Sequence, residues 1–224
     1  GAVAAAGRGT AAVDAPALTR GDVVTGELRE LPQYLLAGPG GVAVRLTTNE
    51  AVEPAWFAAA PDLSSIVPTT NFLRVPEGGL LITVDYVVAP TASTMFSLAA
   101  LPATIVDEVE PNQTPDAATE LGAASEVLVG VGGFAVVEDT EDTTLDWWSF
   151  TSPGGALEIR TSFRSVPADT TLTLYRAENI EESIAFDDDG AGLYSTLSAD
   201  LEAGDYLVAV RSFGDDLDGD YYLS

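Results

Sequence analysis

Pro39-Gly40-Gly41-Val42-Ala43-Val44-Arg45 returns downstream as Pro153-Gly154-Gly155-Ala156-Leu157-Glu158-Ile159-Arg160. In each, a turn of proline and glycine releases a run with alternating apolar positions, the period of a half-buried strand. A second stretch behaves the same way. Pro76-Glu77-Gly78-Gly79-Leu80-Leu81-Ile82-Thr83-Val84 is matched by Glu202-Ala203-Gly204-Asp205-Tyr206-Leu207-Val208-Ala209-Val210. Strand-forming motifs that recur in the same order indicate one fold encoded twice. The expected domains are residues 1–102 and 103–224, with the boundary in the apolar stretch Leu101–Val106. Each is long enough to bury a core of its own.

Outward from these motifs, short apolar runs are punctuated by Gly, Pro, Asp and Asn, the pattern of a β-sandwich. Strands are expected in the first copy near Val23–Leu28, Tyr34–Ala37, Val42–Thr47, Trp56–Ala59, Phe72–Val75, Leu80–Val88 and Met95–Ala99. In the second they are expected near Val127–Val137, Trp147–Thr151, Leu157–Ser162, Thr171–Tyr175, Ser183–Phe186, Tyr194–Ser198, Tyr206–Arg211 and Tyr221–Leu223. The best helical signal is Thr114-Pro115-Asp116-Ala117-Ala118-Thr119-Glu120-Leu121, with Thr114 as cap and Pro115 at the first helical position. The fold class read from this pattern is all-β: two tandem jelly-roll-like antiparallel β-sandwich domains.

Charge divides the copies. Residues 1–102 carry 9 Asp/Glu against 5 Arg, a net of −4, and residues 103–224 carry 26 against 4, a net of −22. The distance between matching glycines also grows, from 104 residues (Gly26 to Gly130) to 126 (Gly78 to Gly204), so the second copy has gained acidic loops. Loop tips on a rigid sandwich are where function usually resides. A surface this acidic repels nucleic-acid backbones and anionic membranes; it suits cations, basic proteins or a saline medium. No apolar run approaches the ~18 residues that span a bilayer. Gly1–Gly7 is too short, and lacks the basic flank, for a signal peptide. It reads as the trimmed start of a mature or engineered chain.

The inventory also restricts chemistry. With no His, Cys or Lys, the Ser-His-Asp and Cys-His arrangements, His-based zinc sites and Schiff bases are out of reach. Carboxylate pairs remain, but among 35 acids no pair stands out. Calcium fits better, because it takes six to eight hard oxygen ligands. Three clusters offer them. The first is Asp107-Glu108-Val109-Glu110-Pro111-Asn112, joined by Asp142 and Asp146; an extended backbone would put Glu108, Glu110 and Asn112 on one side. Asp187-Asp188-Asp189-Gly190 and Asp215-Asp216-Leu217-Asp218-Gly219-Asp220 read more simply as turns. The adjacent Trp147 and Trp148 must point to opposite faces of a strand, one into the core. The other is either covered, by a loop or by the first domain, or partly exposed and able to stack on a sugar ring or a partner.

Five further motifs follow in order: Glu108-Val109-Glu110-Pro111-Asn112-Gln113-Thr114, Asp146-Trp147-Trp148-Ser149-Phe150, Thr170-Thr171-Leu172-Thr173-Leu174-Tyr175, Asp188-Asp189-Gly190 and Gly219-Asp220-Tyr221-Tyr222-Leu223. Together with the repeats quoted above, and in this order, they resemble the bacterial pre-peptidase C-terminal (PPC) domain. The resemblance covers residues 105–224, and the first copy looks like a degenerate relative. It implies a jelly-roll-like sandwich appended to secreted peptidases and surface proteins, not itself catalytic. Collagen-binding members hold calcium through an acidic N-terminal segment and an Asp before the aromatic pair. Here that implies Glu108, Glu110, Asn112 and Asp146, with the carbonyl of Trp147. Gln113 and Thr143 stand where further acids are usual, which implies one site rather than two.

The expected function is a non-catalytic, secreted or cell-surface binding or accessory module of bacterial origin, whose calcium site would clamp the interdomain linker. The expected ligand is a protein or a polysaccharide. The alternatives are a carbohydrate-binding module, with Trp148 and Tyr222 as its contacts, and a purely structural acidic surface domain.

Overall fold

The computed structural model of the protein describes residues 15–49, 54–61, 66–67, 72–86, 94–134, 144–166, 168–188, 193–213 and 219–224. Asp142, Thr143, Asp189, Gly190 and Asp215 to Asp218 lie outside the described residues. The chain divides into two compact units, Gly1–Pro102 and Ala103–Ser224.

The first unit holds β1 (Ala17–Leu18), β2 (Val23–Glu27), β3 (Gln33–Leu36), β4 (Gly40–Thr48), β5 (Pro54–Ala59), β6 (Ile66–Val67), β7 (Phe72–Val75), β8 (Leu80–Tyr86) and most of β9 (Met95–Asp107). The second holds β10 (Thr119–Ala123), β11 (Val127–Gly133), β12 (Leu145–Ser152), β13 (Gly155–Phe163), β14 (Thr170–Arg176), β15 (Asn179–Asp187), β16 (Thr196–Leu201), β17 (Gly204–Ser212) and β18 (Asp220–Leu223). The described residues form no α-helix, only strands and two short 3-10 turns.

The duplication is written in the topology. One sheet of the first unit runs β1-β3-β8-β5-β6 and its counterpart runs β10-β12-β17-β14-β15. In the other sheets β7-β4-β9-β2 is answered by β16-β13-β18-β11. Adding nine to each strand number converts the first unit into the second. Most pairs are antiparallel, as an all-β sandwich requires. The sheets are nevertheless mixed, because β1 pairs with β3, β10 with β12, and β11 with Ala103–Asp107 of β9 in parallel.

Each unit closes over its own core. Leu36, Val44, Ile82, Val84 and Leu98 belong to the first; Trp148, Phe150, Leu172, Val208, Tyr221 and Leu223 belong to the second. Apolar burial of this kind contributes roughly 25 cal/mol per Å² removed from water, and it fixes strand register, since a slip of one residue would turn every core side chain outward.

One local expectation is corrected. The helical signal after Thr114 yields only a 3-10 turn, Pro115–Ala117, without a side-chain cap. Thr119–Ala123 then becomes a strand because its pairing with β12 buries Thr119 and Leu121. The division between the units falls within the expected boundary stretch Leu101–Val106, but that stretch is continuous strand: it lies inside β9, whose burial alternates through most of its length.

Candidate metal centre

The segment after β9 is held in place by backbone bonds to three strands. The Glu108 amide donates to the Val131 carbonyl (3.1 Å), the Val109 amide to the Thr119 hydroxyl (3.0 Å), and the Trp147 amide to the Asn112 carbonyl (2.9 Å). The Glu110–Pro111 peptide is cis. These ties set the acidic segment against the start of β12, within the second unit.

Glu108, Glu110 and Asp146 converge there, each offering a carboxylate oxygen, and these oxygens lie within 4.8 Å of one another. Asn112, fully buried, donates its side-chain amide to Glu108 Oε1 (2.7 Å), and Glu108 Oε2 accepts from the Gly133 amide (3.0 Å). Glu110 Oε2 accepts from the Asn112 backbone (3.1 Å) and from Gln113 Nε2 (2.7 Å). From the core side, Trp148 Nε1 donates to the Tyr221 hydroxyl (3.0 Å), which donates to Asp146 Oδ2 (2.7 Å).

Asp146 is 0% exposed, yet its Oδ1 meets no protein donor, and its carboxyl, within hydrogen-bond reach of Glu108, can bond it only if a proton is shared between them. Gln113 Oε1 is likewise buried and meets no donor. A buried acceptor left without a donor costs about 1–3 kcal/mol, more if charged. Burial first, then the charges of Glu108 and Glu110, push the Asp146 carboxyl up to about 9. Glu108 is raised as well, mainly by burial. Burial and the same carboxylates hold the Tyr221 phenol well above its ordinary range, so it stays a donor. Adjacent buried carboxylates cannot all remain ionised without a counter-charge. Either a proton bound between them or a cation supplies it. The donors are all oxygens, which suits calcium or another hard cation and not zinc, which prefers nitrogen and sulfur. On the orphaned Asp146 oxygen and this donor set, the residues fit the ion that the motifs imply.

The room for the core side of this network comes from glycines. A Cβ on Gly130 would lie 2.8 Å from the Trp148 ring, and one on Gly132 would lie 2.6 Å from Tyr221 Cζ. Tyr221 was not among the expected site residues. The spacing Gly130-Val131-Gly132 in a strand was the signal that a ring approaches the backbone there.

The two rings lie on opposite faces as expected, but the expectation of Trp148 as a sugar contact is corrected. Both tryptophans are buried: Trp148 is 0% exposed between the sheets and so unable to stack on a sugar, and Trp147 is 8% exposed on the opposite face. Trp147 is covered by Tyr175, with ring centroids 5.4 Å apart, and packs with Leu207, Ala209 and Ala118. Tyr222 is half-buried on β18. The other acidic clusters have structural employment where they are described. Asp187 accepts from the Thr196 amide (2.7 Å), and Asp220 accepts from the Ser165 and Val166 amides (2.8 and 2.6 Å).

No protein-family model and no curated protein matches the chain. Among solved structures the family that the motifs resemble is met again. The chain is similar to the pre-peptidase C-terminal domain of collagenase from Bacillus anthracis, at 19% identity and a TM-score of 0.38, over 52% of this chain and 98% of that one. It is also similar to the CUB1-EGF-CUB2 domains of rat MASP-1, at 8% identity and a TM-score of 0.22, over 93% of this chain and 98% of that one.

Proposed function

We propose that the protein is a non-catalytic accessory and binding module, secreted or displayed at the cell surface, whose second unit is stabilised by calcium. Glu108, Glu110 and Asp146 would supply carboxylate oxygens, and Asn112, Gln113 and the Trp147 carbonyl would be near enough in sequence to complete the shell. The observation that supports this reading is the buried, unpartnered Oδ1 of Asp146 beside two further carboxylates. When bound, the ion would neutralise the cluster and pin the segment after β9 to β12, stabilising the native state by mass action. Its role is structural, in keeping with an inventory that has no His, Cys or Lys for catalysis.

Calorimetric titration and thermal melts with calcium or EDTA test the reading. Millimolar calcium is expected to bind with measurable heat and to raise the melting temperature. Glu110 is exposed and its charge repels Glu108 and Asp146 in the empty cluster, so Glu110→Gln should leave the EDTA melt equal or higher while weakening calcium about tenfold, the loss of one charged ligand. No heat and no rise in the wild-type melt would end the calcium reading and leave a purely structural acidic domain.

A further inference from the structure

The second unit ends one of its sheets in an exposed strand. β15 pairs with β14 on one side, and among the described residues no strand pairs with its other side. Every residue from Asn179 to Ile184 is exposed, including Ile180 and Ile184, and Phe186 is 58% exposed. Ala185 packs on the core, so its neighbours Ile184 and Phe186 point away from it. Register extends this outer face inward: Phe186 pairs with Thr173, Thr173 with Ala209, and Ala209 with Trp147. The row that begins at buried Trp147 therefore finishes at an open phenylalanine.

A long apolar edge invites further strands, and proteins commonly blunt it with charge. On β15 that charge is all of one sign. Glu181, Glu182 and Asp187 lie along it, with Glu178 before it and Asp188 after it, while its nearest cation, Arg176, is engaged by Glu178 and Glu202. A second copy of β15 would bring these carboxylates against themselves. Nor does this chain carry a complementary strand, since its two closest arginines, Arg160 and Arg164, are four positions apart and it has no lysine.

We infer that β15 accepts an extended segment of a partner protein in which basic residues alternate with apolar ones. The segment adds to the open edge as a further strand. Its backbone hydrogen-bonds to β15, its apolar side chains continue the row from Phe186 and Ile184, and its cations meet Glu181, Glu182 and Asp187. The charges discriminate against acidic strands and speed encounter, while the pairing and the apolar contacts hold the complex. This site is separate from the cation cluster and does not depend on it.

Fluorescence anisotropy of a labelled, end-blocked peptide of alternating lysine and valine, added to the full chain in EDTA, tests the inference. Binding is expected. An otherwise identical peptide N-methylated at successive residues, so that both of its strand edges are blocked, keeps its charge but cannot pair as a strand, and should bind about tenfold more weakly or worse. The double variants Ile184→Ser/Phe186→Ser and Glu181→Gln/Glu182→Gln, all at exposed positions, should each weaken the unmodified peptide about tenfold while leaving the melt unchanged. Equal binding of the N-methylated peptide would reduce the effect to diffuse attraction and overturn the inference. So would unchanged affinity in Ile184→Ser/Phe186→Ser, or a dimer in sedimentation that this variant dissociates.

Discussion

Asp146→Asn separates the two ways of neutralising the buried cluster. An amide has the shape of a protonated carboxyl and can donate toward Glu108 where the proton would lie. In the metal-free protein the Asp146 carboxyl is pushed up to about 9 from an ordinary 3.8, chiefly by burial and then by Glu108 and Glu110. The unfolded chain releases this proton near the ordinary value, whereas the native state keeps it. The raised group therefore contributes stability that is full at low pH and is lost as pH rises toward about 9, at ~1.4 kcal/mol per pH unit. Between pH 5 and pH 8 this one group removes roughly 4 kcal/mol from the metal-free wild type. Repulsion among the other carboxylates also grows with pH, but the wild type and the variant share it. The difference between their slopes is the signal. Urea unfolding in EDTA at several pH values, followed by tryptophan fluorescence, measures it. Calcium should reverse the loss by displacing the proton, giving ~2.7 kcal/mol at a hundredfold excess over Kd and more at pH 8 than at pH 5. Asp146→Asn should be flat by comparison and indifferent to calcium. Equal slopes in EDTA, or an intact calcium response in the variant, would refute the reasoning.

Tyr221→Phe removes the acceptor of the Trp148 N–H and the donor to Asp146 together, so urea unfolding should show a loss of about 1–3 kcal/mol with calcium affinity reduced as well. Gly132→Ala forces a methyl to within 2.6 Å of the Tyr221 ring, and overpacking of this kind should lower stability by about 1–3 kcal/mol, read as a lower melting temperature. Trp148→Ala empties the core rather than a ligand face; it should cost about 3–5 kcal/mol in unfolding.

Alternation and turn residues carried most of the architecture. The repeated Pro-Gly-Gly motifs led directly to β4 and β13, and the Leu80 and Tyr206 runs led to β8 and β17, which sit inside their sheets. β10 was illegible because Thr119–Ala123 has a single large apolar residue and follows strong helix-start signals; its conformation is set by pairing with Trp148, far along the chain. The period of two placed Trp147 and Trp148 on opposite faces, but the cover over Trp147 comes from Tyr175, which no local pattern announces. In the cation cluster, Glu108, Glu110 and Asn112 could be grouped from their spacing with Asp142 and Asp146 as candidate partners, and the resemblance singled out Asp146. The hydroxyl of Tyr221 could not be placed, since it reaches Asp146 from 75 positions away. Asp142 is outside the described residues.

In both repeats the ninth strand is inserted between strands made much earlier: β9 lies between β2 and β4, and β18 between β11 and β13. During synthesis, then, a sandwich cannot close as its parts emerge. The earlier strands of the second unit must wait, with their inner faces uncovered, until Asp220–Leu223 arrives to bridge them. Slow, nonlocal closure of this kind exposes apolar surface to aggregation. The heavy negative charge of that unit, by keeping unfinished chains apart, protects the interval in which the last strand is still missing.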